Sequence, residues 1–471
     1  MNFTSLVFFL FLPIVLLLFW LTPNRFRYIT LLIASYFFYA FLNYWLIFLI
    51  VFTTLVSYFG AWGIEKSAKH KKAILVWVLI ACLGALFTFK YLDFTISTIG
   101  SVFSLCGLNL SLRPLNLVLP VGISFYTFQT IGYVVDVYRG KVKAERHIGY
   151  FALFVSFFPQ LVAGPIESAG KLLPELRKEH HFDSDKLAEG LRYVVSGFVK
   201  KVLIADFLVL YVDSVYGNLA SYSGFEILLA TFLFGIVIYC DFSGYSEIAK
   251  GVAKWMDVDL SQNFDRPYLC SSFREFWRRW HITLNRFFTE YVYIPLGGSK
   301  RGKIRKYLAI FLVFFLSGLW HGASLHFVIW GVVCGLLLIA EDLLSPLLAK
   351  LKMKDSARKV IGIVLTYVVI NLCWLFFRAQ TIQDIGLIFG KILTGFAGSF
   401  DSSFFSAIHI TLLCLTLVLL PLVHYLPKPS FKEGSNCALI GLYVVLILVI
   451  SLIYIEHLNV QGESSFIYFQ F

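Results

Sequence analysis

One histidine lies between two strongly apolar runs, residues 307–316 and 325–340, in the stretch SGLWHGA (317–323). A charge at the centre of a bilayer costs about 2.5 kcal/mol or more, so an ionisable residue at that depth is a functional candidate by default. Imidazole can remain neutral there, and it titrates near neutral pH, which suits a general base. Small residues such as Gly318 leave room for a neighbouring helix or for a substrate. His321 is therefore a candidate base. The equal alternative is a structural role, in which its buried ring is bonded to a backbone carbonyl.

A second stretch, residues 261–306, interleaves arginines with tryptophans. At helical spacing Trp277, His281 and Asn285 share one face. Such a helix fits an interfacial anchor, and it also fits the lining of a cytoplasmic entrance whose arginines meet phosphates. The glycine-rich turn at 295–298 is expected to close the segment.

A third polar stretch, residues 239–247, follows a predicted span at 225–240 and contains Asp241, Ser243 and Glu247. At the end of a span, Asp241 and Glu247 could serve as a helix cap and as a charged loop residue. They equally fit groups that orient a histidine or hold a basic side chain.

The composition indicates the protein class that must position these groups. Of 471 residues, 59% are hydrophobic and 14% are charged, whereas a soluble domain averages about 25% charged residues. Several runs approach the ~20 apolar residues that span a bilayer, and they are continuous instead of alternating. The sequence therefore predicts an all-α polytopic membrane protein. The first run is expected to be a retained helix, because residues 1–5 carry no positive side chain.

The apolar runs predict the position of each span. The predicted spans are 3–21, 27–42, 44–63, 73–91, 193–215, 225–240, 307–319, 324–343, 359–377, 407–426 and 436–456. Residues 92–116 are expected to form a loop. The shorter runs at 120–129 and 158–166 are broken by polar residues or prolines, and such segments are tolerated at membrane depth only when protein or a wet cavity surrounds them. We therefore expect re-entrant pieces there.

The net charge of +12 bears on orientation and on partners. Basic clusters such as 300–306 are expected on the cytoplasmic face, where they first report topology and contact with anionic lipid. Attraction of a phosphate-rich or acidic partner is the alternative. The eight cysteines show no paired spacing and the ten histidines show no HExxH motif, so we expect no metal.

Five ordered blocks of the chain resemble the membrane-bound O-acyltransferase family. The resemblance is greatest to the bacterial branch that O-acetylates alginate and other cell-envelope polysaccharides, and the teichoic-acid D-alanine exporter is a cousin. It implies a helical bowl of roughly 11 transmembrane helices with re-entrant segments and amphipathic helices. The blocks are GISFYTFQTIGYVVDVYRG (122–140), FPQLVAGPI (158–166), YCDFSGYSEIAKG (239–251), NFDRPYLCSSFREFWRRWHITLNRFFTEYVYIPLGG (263–298) and SGLWHGA (317–323).

The resemblance also implies a site and a reaction. The family's signature histidine falls on His321, and a second falls on His281, where some families carry asparagine. The reaction is acyl transfer from a cytoplasmic thioester, acetyl-CoA or an acyl carrier, with no bound cofactor. His321 would act as base or orient the acyl carbonyl, and His281 would bind or polarise the thioester. Expected donor-binding residues are Arg278, Arg279, Trp277 and Asn285; expected supporting residues are Asp241, Ser243 and Trp320.

The whole chain, 1–471, is interpreted as one membrane domain. Its expected parts are N-terminal helices (1–116), a catalytic core (117–345), C-terminal helices (346–460) and an aromatic tail (461–471). The tail fits an F-x-Y-x-x-F pattern that is similar to a hexapeptide of related envelope-acylation systems, in which the tyrosine is proposed to carry the acyl group. Tyr468 would be that shuttle. The alternative is simple docking of apolar side chains against the domain or the membrane.

The expected setting is the bacterial cytoplasmic (inner) membrane. The expected partners are the thioester donor, membrane lipid and an extracytoplasmic Ser-His-Asp acyltransferase, and nucleic acid is not among them. Three alternatives remain open at this point: export of D-alanyl or another acyl group to a teichoic-acid-like polymer, a transporter or lipid flippase, and a membrane scaffold without chemistry of its own.

Overall fold

A computed structural model describes residues 1–41, 43–108, 113–348, 350, 353–397, 441–443 and 445–446. Within these residues the secondary structure is helical and contains no β-strand, which confirms the prediction of an all-α protein. The predicted span at 407–426, most of the one at 436–456, and the tail 461–471 with Tyr468 lie outside the described residues.

The described chain divides into two compact units, which are residues 1–190 with 249–261 (unit 1) and residues 191–248 with 262–471 (unit 2). The first helices are α1 (Leu6–Leu21), α2 (Arg27–Ala40), α3 (Ile47–Lys66), α4 (Lys71–Leu86), α5 (Leu92–Leu105), α6 (Ile123–Tyr138), α7 (Ile148–Ser156), α8 (Phe158–Leu161) and α9 (Ala169–Arg177). They are followed by α10 (Ser184–Phe198), α11 (Asp206–Gly217), α12 (Gly224–Trp255), α13 (Phe273–Arg279), α14 (Ile282–Phe288), α15 (Lys303–His321), α16 (Leu325–Leu348), α17 (Asp355–Arg378) and α18 (Ile382–Thr394). Helices α10 and α12 contribute residues to both units.

Six helical stretches of the described chain are long and apolar enough to cross a membrane. They are Tyr44–Lys66, Lys71–Leu105, Gly224–Trp255, Lys303–His321, Leu325–Leu348 and Asp355–Arg378. Each overlaps a predicted span. Large apolar side chains on them, such as Trp77, Ile80 and Leu308, are exposed, which suits contact with lipid and not with water. The total of roughly eleven spans stays a prediction.

The loop predicted at 92–116 is wrong for its first half. A π-helical turn, Phe87–Tyr91, joins α4 to α5, and the helical stretch continues to Leu105. The hydroxyls of Thr95, Thr98 and Ser101 each donate to the carbonyl four residues back. Because these polar side chains are satisfied inside the helix itself, they do not end it.

The sequence predicted that the polar stretch 239–247 would lie at the end of a span, and this prediction is wrong. Helix α12 continues through it to Trp255, so Asp241 is not a helix cap. Asp241 instead pairs with Lys201, which projects from a π-helical turn, Val199–Ala205, between α10 and α11. The alternative in which the carboxylate holds a basic side chain is confirmed.

The broken segments of unit 1 are buried in protein, as expected. Almost every residue of α6 is buried, and so are all four of α8. Gly122, which precedes α6, has φ +79°, and a Cβ atom there would lie 2.5 Å from the carbonyl oxygen of Leu161. Only glycine suits both the left-handed backbone and this close approach.

Helices α15 and α16 form a tight hairpin that carries the histidine motif. A Cβ atom on Gly318 would lie 2.4 Å from the Phe327 carbonyl oxygen, and one on Gly331 would lie 2.4 Å from that of Phe314. Small residues therefore let the two backbones touch. The neighbouring helix α16 fills the space beside Gly318. The sequence left that space open to either a helix or a substrate, and the structure assigns it to the helix.

Candidate active site

His321 is the last residue of α15, and its ring is enclosed by aromatic side chains. The ring centroid lies 5.0 Å from that of Trp330 on α16 and 5.3 Å from that of Phe377 on α17. The ring centroid of Trp320, the preceding residue on α15, lies 4.9 Å from that of His321. With 6% of its surface exposed, His321 is enclosed by side chains of three helices.

His281 lies at a break between two short helices. The prediction that it lies on the face of one continuous helix is therefore wrong. Helix α13 ends at Arg279, α14 begins at Ile282, and His281 has φ +43°. The left-handed conformation costs a non-glycine residue about 1–2 kcal/mol, least for asparagine and aspartate. The side-chain nitrogen of Asn285 holds the break by donating to the carbonyls of Trp277 and Trp280. Strain of this kind accumulates at functional sites.

The surroundings of His281 keep its imidazole neutral. The side chain is 1% exposed, and the edge of the ring meets Phe242 of α12 with centroids 4.7 Å apart. Burial lowers the pKa of His281 to about 3. At neutral pH the ring is therefore neutral, so it can accept a hydrogen bond but does not supply a cation.

Both histidines line one small pocket of unit 2. Two further predicted residues, Trp277 and Asn285, also line it. The remaining lining residues are Trp280, Leu284, Phe288, Val313, Phe314 and Ser317. The structure thus brings together four residues that were predicted from two separate motifs, in a largely apolar pocket.

Ser317 is a cavity residue that the sequence reasoning missed. It lies four residues before His321 on α15, so the two share a helix face. That spacing is visible in the motif, and it is the signal that would have found the serine. A hydroxyl there can bind a substrate group beside the imidazole.

Trp277 offers a hydrogen-bond donor at the cavity. The side chain is 8% exposed, its ring packs against Phe314 and Trp330, and its indole nitrogen donates to no atom of the described residues. A buried indole N–H usually finds a partner. A bound carbonyl is a suitable one.

The other residues predicted to bind the donor either lie outside the cavity or have their side-chain donors occupied. Arg278 is exposed, and Arg279 pairs with Glu275 at 2.8 Å. Neither arginine lines the cavity. The amide nitrogen of Asn285 is occupied by backbone carbonyls, so its use in donor binding would fall to its oxygen.

The predicted supporting residues divide into two groups. Trp320 contacts both histidines, with ring centroids 5.9 Å from His281 and 4.9 Å from His321. Asp241 and Ser243 are buried on α12, on either side of the Phe242 that meets His281. In the described part of the chain, no cluster of His, Cys, Asp and Glu could hold a metal ion.

The depressed pKa of His281 predicts a pH-dependent stability. The unfolded histidine titrates near 6.5 and the folded one near 3, so between these values the unfolded chain binds more protons and acidification destabilises the fold. At about pH 5 this group alone is expected to remove about 2 kcal/mol. The thermal unfolding midpoint of His281→Asn should therefore fall less between pH 7.5 and pH 5 than that of the wild type. Equal falls would contradict the buried, neutral state.

Comparison with known proteins identifies the chain. Residues 145–378 match the membrane-bound O-acyltransferase family. "Probable alginate O-acetylase AlgI" of Pseudomonas putida is 33% identical over the full length of both chains, and the protein of that name from Pseudomonas syringae pv. tomato is 36% identical over 84% of this chain and 75% of its own. A peptidoglycan O-acetyltransferase of Helicobacter pylori is 34% identical over 78% of this chain and 73% of its own. The chain belongs to the membrane-bound O-acyltransferase family and is a multi-pass membrane O-acyltransferase.

Proposed function

We propose that the protein moves an acetyl group from a cytoplasmic thioester, acetyl-CoA or an acyl carrier, towards a cell-envelope polysaccharide on the other side of the membrane. The observation that carries the proposal is that two buried histidines, His281 and His321, line the same cavity. The named activities of its relatives, alginate O-acetylase and peptidoglycan O-acetyltransferase, support the acetyl group and the class of acceptor.

The proposed step is attack of a hydroxyl on the thioester. The hydroxyl oxygen bonds to the carbonyl carbon, the C–S bond breaks, and the sulfur leaves as a thiolate. His321 takes the proton of the hydroxyl and returns it to the sulfur, which balances the reaction. A positioned base of this kind contributes typically about 10²–10⁴-fold in rate.

The carbonyl oxygen gains negative charge during this step. The Trp277 indole N–H is the proposed donor to it, because Trp277 lines the cavity and its buried indole nitrogen donates to no atom of the described residues. In an apolar pocket such a hydrogen bond is stronger than in water. Arg278, which is exposed, and Arg279, which is half-buried and paired with Glu275, are proposed to meet phosphates of the donor outside the cavity.

The direct test is transfer by the purified protein in lipid nanodiscs. Acetyl-CoA and an acetylated acyl carrier are supplied in turn, with alginate oligosaccharides or peptidoglycan fragments as acceptor. We expect release of free thiol that depends on His321. A transporter or a scaffold would release none with either donor, which would contradict the proposal.

The sidedness of the donor gives a separate prediction. Ser299 is exposed, in the turn after the arginine-rich stretch. In a background with the exposed Cys106 replaced by serine, cysteine at 299 is expected to react with an impermeant thiol reagent only in inverted vesicles or permeabilised cells. The same background without the new cysteine is the control. Labelling of intact cells would overturn the cytoplasmic orientation of this segment.

The partner is proposed from the chemistry. An acetyl group that crosses the membrane still has to be attached to a polymer. We expect an extracytoplasmic Ser-His-Asp acyltransferase to do this, since a serine nucleophile activated by histidine is a common solution for acyl transfer. The proposed location is the bacterial cytoplasmic membrane, where a cytoplasmic thioester and an envelope polymer meet.

The proposed carrier is Tyr468, which lies outside the described residues. A phenol with pKa near ~10 is a poor nucleophile until a base takes its proton. The aryl ester it forms is more reactive than an alkyl ester, which suits a transient carrier. Tyr468→Phe is therefore expected to block polymer acetylation while the protein still folds, and Ile467→Leu is expected to be silent. Normal acetylation by Tyr468→Phe would contradict the carrier role and would favour direct transfer from donor to acceptor at His321.

A further inference from the structure

Asn263 is a buried amide that no motif argument had singled out, and it lies against His281. Its side-chain oxygen is 3.3 Å from Nδ1 of His281 and accepts a hydrogen bond of 2.7 Å from the Thr283 hydroxyl. Its side-chain nitrogen donates to Ser246 of α12 at 3.2 Å. Asn263 is 2% exposed, and the three side chains that it meets are buried as well.

The backbone fixes the same arrangement. The carbonyl of Asn263 accepts from the N–H of Ile282, the residue that follows His281. Two hydrogen bonds thus connect residue 263 to positions 281 and 282, at the point where the chain is held in its left-handed conformation. The amide is therefore fixed relative to the imidazole.

The orientation of the amide determines the proton on the ring. The Thr283 hydroxyl donates to the amide oxygen, and the amide nitrogen is directed to Ser246. The atom that faces Nδ1 of His281 is consequently an acceptor, and an acceptor requires N–H on that ring nitrogen. A neutral imidazole carries one such proton, which leaves the lone pair on Nε2.

We propose that Asn263 is a positioning residue that holds His281 in the Nδ1–H tautomer, so that His281 presents Nε2 to the substrate as a hydrogen-bond acceptor. This rests on the proposed acyl transfer, and it narrows the role of His281. A ring nitrogen without hydrogen cannot polarise the thioester carbonyl. His281 instead binds a group that donates, a hydroxyl or an amide N–H, and polarisation of the carbonyl falls to N–H donors such as Trp277.

The tautomer can be measured without an activity assay. The full chain, with ¹⁵N in its histidine rings, is placed in lipid nanodiscs at neutral pH, and the signals of His281 are assigned by their loss in His281→Asn. Asparagine is the matched replacement because it tolerates the left-handed backbone. We expect Nδ1 protonated and Nε2 unprotonated in the wild type. The opposite tautomer would mean a flipped amide and would overturn the proposal.

Thr283 provides a pair of variants that tests the same contact without removing the buried amide of Asn263. Thr283→Val removes the hydroxyl that orients the amide, and Thr283→Ser keeps it. Thr283→Val is expected to mix the two tautomers and to lower kcat by up to about tenfold, the size of one buried hydrogen bond. Thr283→Ser is expected to retain both the tautomer and kcat. A single tautomer, unchanged in Thr283→Val, would contradict the mechanism.

The failure of this inference is distinguishable from the failure of the proposed function. If His281→Ala retains full acetyl transfer, the role of His281 in the reaction is wrong whatever its tautomer. If the ring spectra show Nε2 protonated in an active protein, the function stands and the positioning by Asn263 is wrong.

Discussion

Replacement of His321 by alanine is expected to abolish acyl transfer while the folded protein persists. The imidazole lines the cavity and is enclosed by aromatic rings of α15, α16 and α17, so its removal takes away a positioned base. The loss is expected to reach at least ~10²-fold when chemistry limits the rate. The measurement is initial-rate release of thiol from the acetyl donor by purified protein.

His326 is the matched control, because it is a second buried histidine on the same hairpin. It is the second residue of α16, bonds through Nδ1 to the Ser324 hydroxyl at 2.8 Å, and does not line the cavity. His326→Ala removes the same volume from the same region, so we expect its acyl transfer to remain near that of the wild type. Retention of more than about a tenth of the activity by His321→Ala would argue against the base, and equal losses in both variants would indicate a packing effect.

The sequence was sufficient where a local pattern decides the structure. Apolar length predicted α15, α16 and α17, and a histidine between two such runs predicted the position of His321. The small residues of the motif predicted a close approach, which Gly318 makes to Phe327 on α16. In each case the information lies within a few residues of chain, so periodicity and residue size carry it.

The break at His281 could not be predicted, because its cause is tertiary. Helical spacing across 273–288 is good. The chain nevertheless breaks at His281, where the Asn285 side chain donates to the Trp280 carbonyl before the break and the Asn263 carbonyl accepts from the N–H of Ile282 after it. Asn263 lies eighteen residues before His281. No helical periodicity connects two such positions, so the partner of the imidazole is visible only in the fold.

The continuation of α12 through its polar stretch has a similar cause. Asp241 is costly inside a span when considered alone, which is why the sequence suggested an end there. The compensation comes from Lys201, forty residues away. A π-helical turn inserts extra backbone at 199–205 and brings that lysine into the protein.

The same lysine gives the second large expected effect. Lys201 Nζ lies 2.7 Å from a carboxyl oxygen of Asp206 and 2.6 Å from one of Asp241, and the three side chains are at most 4% exposed. Removing one partner of a buried ion pair costs about 3–5 kcal/mol, because an uncompensated charge remains. Lys201→Met leaves two facing carboxyl groups without their cation, and we expect it to fold poorly.

Asp241→Asn is the matched variant that separates charge from shape. It leaves Lys201 paired with Asp206, one cation with one carboxylate, and replaces the second contact by an amide of the same size. We expect a loss of about 1 kcal/mol, that of one hydrogen bond, and unchanged acyl transfer. The measurements are the thermal unfolding midpoint of each variant in detergent and the kcat of those that fold. If Asp241→Asn were stable but inactive, the carboxylate would act in the reaction and not in the fold; if Lys201→Met melted like the wild type, the buried pair would not stabilise the protein.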